Sequence, residues 1–153
     1  MRPRRLEFVY KRHPIYYLTL VADERRSLFA NLKVHQAFIV FSQRAAERGV
    51  AVGRYVLMPD HIHLFARFGP SSPNLSMWIK SLKNSLSKCL RESGIPSAHW
   101  QKDFFDHVLR SGESYSEKWL YVLENPVRNG LVSRWQDWPY QGEMYPLQAK
   151  GHL

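Results

Sequence analysis

Apolar and polar positions along this chain fall into a β-α-β-β-α-β order followed by one more helix. Ile15 to Val21 (IYYLTLV) is dense in β-branched and aromatic residues and predicts a strand. From Leu28 to Arg48 apolar residues recur at helical spacing (Leu32, Ala37, Phe38, Val40, Phe41, Ala45), and Gly49 supplies the stop. Val50 to Leu57 and His61 to Phe68 read as two strands joined by the turn Met58-Pro59-Asp60. After the loop Gly69 to Pro73, Asn74 can cap a helix running to Ser93. Its buried face would carry Leu75, Trp78, Ile79, Leu82, Leu86 and Leu90. Phe104 to Leu109 fits a fourth strand. Ser114 can cap a last helix, expected to end near Asn125-Pro126, because the residue before proline is pushed out of the helical region.

This order predicts an α+β fold: a ferredoxin-like βαββαβ sandwich with an antiparallel four-stranded sheet, two helices on one face, and an additional C-terminal helix placed to close a site. Residues 1–14 read as a basic arm, 15–130 as the folded domain, and 131–153 as an irregular tail packed by its aromatics, Trp135, Trp138, Tyr140 and Tyr145.

Composition narrows the function. The 153 residues hold 22 Lys and Arg against 13 Asp and Glu, a net charge of +9, with a pI near 9.9. Such a balance favours a polyanion, nucleic acid before an anionic membrane. No basic amphipathic helix stands at either end, and no run approaches the roughly 20 apolar residues of a membrane span. A single cysteine, Cys89, excludes a disulfide scaffold and a cysteine-based zinc cluster. Without an apolar leader at its start, the chain is expected in the cytoplasm, beside DNA. Arg4, Arg5, Lys11 and Arg12 could clamp a hairpin stem through its phosphates. Tyr10, Tyr16, Trp78 or Trp100 could stack unpaired bases, with burial as the plainer alternative.

Two constellations carry possible chemistry. His61-Ile62-His63 lies on a predicted strand, so both imidazoles share one face about 7 Å apart. They can grip one divalent cation from the same side, or they are simply surface histidines. Asp60 could orient a histidine ring, or serve only the turn. In the segment Tyr115 to Gly130, Glu117, Tyr121 and Asn125 recur at i, i+4 and i+8, one face of a helix. A phenol is a poor nucleophile at neutral pH, but becomes useful when held in line with a phosphodiester whose oxygen is bound by a metal. Tyr121 is equally compatible with a place in the core. Tyr115, near the helix start, faces elsewhere and is the competing nucleophile. Arg128 could touch a DNA phosphate or be a solvated helix-end charge.

The runs VLMPDHIHLF, HWQKDFFDHVLRS and YVLENPVRNGLV, in this order, resemble the single-tyrosine HUH transposases, and among them the REP-associated tyrosine transposases of bacteria. The resemblance spans about residues 10–140. It implies a ferredoxin-like fold, His61 and His63 as metal ligands, Asn125 as a third polar ligand, and Tyr121 as the catalytic tyrosine. It further implies Mg or Mn as cofactor and cleavage of single-stranded DNA beside an imperfect hairpin, leaving a 5′-phosphotyrosine and a free 3′-OH. His107 and Arg110 match a recurring family string, with a structural role expected for His107. The segment YKRHPIYYLTL contains no glycine, where REP-binding members carry a glycine-containing stretch that helps read a guide tetranucleotide. The target sequence is therefore left open, as is the choice of monomer or homodimer. Two rivals stand beside this reading: a domesticated DNA-hairpin binding protein, and a two-histidine metal phosphodiesterase that uses water.

Overall fold

The computed structural model describes residues 13–109 and 115–147. Its centre is a five-stranded antiparallel sheet built from β1 (Ile15–Val21), β2 (Val50–Leu57), β3 (His61–Phe68), β4 (Phe105–Val108) and β5 (Gln141–Glu143), in the order β4-β1-β3-β2-β5. The first four strands stand as the βαββαβ pattern requires. The fifth corrects the expectation of an irregular tail: Arg54, Tyr55 and Val56 pair with Glu143, Gly142 and Gln141. Trp138 explains why the tail returns to the sheet. Its buried indole N–H donates to the Leu57 carbonyl at 3.0 Å, which seats the chain along the free edge of β2.

Helices α1 (Leu32–Glu47) and α2 (Leu75–Glu92) cover one face of the sheet. Helix α1 begins four residues later than the apolar spacing suggested. Asn31 is the cap, its side chain accepting from the Val34 N–H at 3.0 Å. Leu28 and Phe29 instead give their N–H groups to the Pro59 carbonyl and stay buried. Leu18 and Leu20 of β1, Ile62 and Leu64 of β3, and Phe38, Trp78, Ile79, Leu82 and Leu86 of the helices form this core. Trp78 is therefore a core residue, Tyr16 packs on Phe68, and Trp100 stacks on Phe29. None of these three is placed to receive a base. Tyr10 lies outside the described residues.

The opposite face carries a second core of Ile15, Val56, Phe65, Tyr115, Val122, Leu123, Trp138 and Leu147. A β-bulge between Val52 and Tyr55 makes this possible. Val50 and Val52 face α1 and α2, and so do Tyr55 and Leu57, so the alternation shifts by one residue across Gly53-Arg54. A Cβ at Gly53 would lie 2.5 Å from Leu147 Cδ1 and 2.6 Å from Tyr115 Oη, so only glycine fits beneath this junction.

Helix α3 (Tyr115–Leu123) docks on that bulge. Tyr115 accepts the Arg54 N–H at 3.1 Å and meets Phe65 edge-on. One turn on, the Arg54 guanidinium lies 4.2 Å from the centre of the Trp119 ring. Helix α3 ends at Leu123, close to Asn125-Pro126 as the sequence suggested, but Pro126 is not itself a stop. It opens a second short helix, α4 (Asn125–Arg128), where its missing N–H costs nothing. Glu124 stays in right-handed helical conformation and joins the two.

Candidate active site

The sheet alternation places Ile62 among α1 and α2 and turns His61, His63 and Phe65 to the face that bears α3. The imidazoles of His61 and His63 stand 4.7 Å apart, nearly perpendicular. His61 Nδ1–H donates to Asp60 Oδ1 at 2.7 Å, so its remaining ring nitrogen, Nε2, points away from the protein's own acceptor. Asp60 Oδ2 is held in turn by Arg25 Nε at 2.9 Å. Burial pushes the Asp60 carboxyl up, but the His61 hydrogen bond and the charges of His61 and Arg25 outweigh it, so Asp60 sits below the usual carboxylate range. Glu24 and Arg25 adopt φ of 53° and 55°, a left-handed backbone unusual for non-glycine residues, and this turn delivers Arg25 to Asp60.

His63 is deeper. Its Nδ1 lies 3.0 Å from both Tyr17 Oη and Thr19 Oγ1, the hydroxyls of two residues on the neighbouring strand. Register explains the contact: Thr19 is the cross-strand partner of His63, and Tyr17 the partner of Phe65. Burial, then the nearby His61 and Arg128, lower the His63 value to about 3, so the ring is neutral. With Nδ1 engaged by this hydroxyl pair, the ring is held with Nε2 on its far side. The Tyr17 phenol is pushed up, chiefly by burial.

The two histidines fit a divalent cation through the chemistry of their donors. Both are oriented through Nδ1, and both keep Nε2 for a ligand. Among the described residues no cluster of three His, Cys, Asp or Glu is arranged for a metal. Asn125 is buried, and its Oδ1 accepts from Asn129 Nδ2 at 2.7 Å. A carboxamide oxygen has a second lone pair, so that bond leaves it able to act as a ligand.

Tyr121 and Arg128 form the other half of the site. The Tyr121 side chain is 64% exposed. The Arg128 guanidinium lies 3.9 Å from the centre of its ring. Arg128 acts electrostatically on His63, and both Tyr121 and Arg128 act on Tyr17. The α3–α4 segment thus brings Tyr121 and Arg128 into electrostatic range of Tyr17, and Arg128 into range of His63. Tyr115 behaves oppositely. It is 2% exposed, hydrogen-bonded to backbone, and its phenol is pushed far above its ordinary value, first by burial. It is a structural residue.

His107 is the cross-strand partner of Tyr17 and so lies on the same face. Arg4, Arg5, Lys11, Arg12 and Arg110 lie outside the described residues. Sequence reasoning missed Tyr17, Thr19 and Arg25 as parts of the site. Their signal is the pairing of β1 with β3, which no local motif announces.

Comparison with known proteins decides the family. A model of the family described as "Transposase IS200 like" matches residues 11–119. The chain belongs to the IS200-like transposase family. The match takes in both histidines and ends two residues before Tyr121. The transposase is 22% identical over 155 residues to a REP-associated tyrosine transposase of Escherichia coli K12, covering 94% of this chain and 92% of the relative. It is 26% identical over 159 residues to a Haemophilus influenzae protein named for the same group, covering 90% and 88%. A solved structure of a REP-associated tyrosine transposase bound to a REP hairpin has the same fold, with a TM-score of 0.70, 21% identity, and coverage of 91% of this chain and 86% of that one. This IS200-like transposase is accordingly a DNA-processing enzyme. No helix among its described residues is long and apolar enough to cross a membrane.

Proposed function

We propose that this transposase cuts and rejoins single-stranded DNA beside imperfect hairpins, with Tyr121 as nucleophile. The observation that carries the reading is the pairing of an exposed tyrosine beside Arg128 with two imidazoles oriented through Nδ1 on one face of the sheet. Tyr121 Oη attacks the scissile phosphorus and the bond to the 3′ oxygen breaks. The phenolic proton passes, through solvent, to the departing 3′ oxygen, and the products are a 5′-phosphotyrosine and a 3′-OH. A later 3′-OH reverses the step and releases Tyr121. Arg128 holds the ring in place and supplies positive charge beside the phosphate. His61, His63 and Asn125 would hold Mg or Mn, and the bound cation supplies Lewis-acid polarisation of a non-bridging oxygen.

The hairpin as partner rests on the net charge of +9 and on the hairpin bound by the solved relative. The enzyme works where bacterial DNA lies, in the cytoplasm. The test is a denaturing gel with end-labelled hairpin DNA and Mg or Mn. A covalent protein–DNA band that needs the metal and disappears in Tyr121→Phe supports the mechanism. Cleavage without a band, unaffected by Tyr121→Phe, replaces it with water-driven hydrolysis. Binding without cleavage under either metal reduces the protein to a hairpin binder.

A further inference from the structure

Phe105 stands on the histidine-bearing face of the sheet, and its exposure runs against its chemistry. It is 58% exposed, although it is a large apolar side chain on a strand. Register fixes where it stands. Thr19 pairs with His63 on one side and with Phe105 on the other, so His63, Thr19 and Phe105 form a row across three strands. Residues paired this way point to the same face, and two strand spacings put Phe105 on the order of 10 Å from His63 along the sheet. Between them stands the short side chain of Thr19, and Tyr17 lies alongside, with its ring 5.7 Å from His63 and 6.4 Å, edge-on, from Phe105.

We infer that Phe105, backed by Tyr17, is a stacking platform for one unpaired DNA base next to the phosphate at the histidine pair. This rests on the proposed function only for where that phosphate sits. The occupant follows from the chemistry around the platform. Arg128 puts a positive charge beside Tyr121 and near His63, where it can attract a phosphate of a DNA backbone. A half-exposed aromatic ring set about one nucleotide's reach away offers a π-face, which every unpaired base can use and a base stacked inside a duplex cannot. The edge-on contact with Tyr17 supports the Phe105 ring, which is still 58% exposed. The platform therefore separates single-stranded flank from duplex stem and sets the cut beside, not within, the hairpin.

The experiment uses the full chain and a hairpin carrying a short single-stranded flank, with 2-aminopurine placed at each flank position in turn, and the same hairpin with blunt ends. Binding is read by anisotropy and stacking by 2-aminopurine quenching. In wild type one flank position should be quenched. In Phe105→Ala that quenching should vanish and affinity for the flanked hairpin should fall roughly ten-fold, with the blunt hairpin unchanged. Phe105→Trp should restore both, whereas Phe105→Leu, which keeps the apolar contact with Tyr17, should not. These readouts need no cleavage, so they stand or fall separately from the Tyr121 chemistry. Equal losses for flanked and blunt hairpins, retained quenching in Phe105→Ala, or rescue by Phe105→Leu would each overturn the platform. So would a shift from dimer to monomer in Phe105→Ala with quenching intact, which would give this edge to a second copy of the chain.

Discussion

The two tyrosines of α3 should separate stability from chemistry when each is changed to phenylalanine. Tyr115 is 2% exposed and its hydroxyl is the acceptor for the Arg54 N–H at the β-bulge. Tyr115→Phe keeps the ring against Phe65 but leaves that N–H without its partner, a cost of about 1–3 kcal/mol. For a chain of this size a loss of about 2 kcal/mol lowers the melting temperature by roughly 4–8 °C. Tyr121 is 64% exposed, and phenylalanine still offers a ring to Arg128. Its stability should change by no more than about 0.5 kcal/mol, a shift of roughly 2 °C at most. The assay pairs a thermal melt with a denaturing gel for the covalent DNA adduct, run well below both midpoints. Tyr115→Phe should melt early and still form the adduct; Tyr121→Phe should melt with wild type and form none. An adduct that survives Tyr121→Phe and is lost in a folded Tyr115→Phe would refute the assignment outright.

Three further outcomes follow from the geometry. Asp60→Ala removes the carboxylate that orients His61, and affinity for Mn by titration calorimetry should fall about 10- to 100-fold; an unchanged affinity would detach Asp60 from the metal site. Trp138→Ala empties a buried site and loses the bond to the Leu57 carbonyl, so chemical denaturation should show a loss of about 3–5 kcal/mol, and a loss below about 1 kcal/mol would mean β5 does not depend on that anchor. Hairpin affinity should fall steeply with salt, with a log–log slope of about −0.9 per phosphate contacted; a flat response between low and moderate salt would remove the electrostatic clamp.

Much of this protein is legible in its sequence because the relevant forces are local. Strand alternation alone puts His61 and His63 on one face and Ile62 on the other, and helical spacing alone finds α1 and α2. A rigid backbone period imposes both, whatever surrounds it. The predicted ends were less secure where a specific side chain decides them. Asn31 starts α1 after Leu28 and Phe29 have turned into the core, and just past the end of α3 Pro126 opens a further short helix, since its missing N–H falls where no partner is needed.

Tertiary structure alone decided the rest. Tyr115 and Tyr121 are the same residue type on the same helix, and only docking on the Gly53-Arg54 bulge buries one and exposes the other. Tyr17 and Thr19 become supports of His63 only because β1 pairs with β3 in one register, across more than forty residues of chain. The tail becomes a strand only because β2 has a free edge and a carbonyl, that of Leu57, for Trp138 to reach. A periodic pattern within one segment fixes which way a side chain faces, but which side chain it meets depends on contacts between distant segments, and those are set by the packing of the whole.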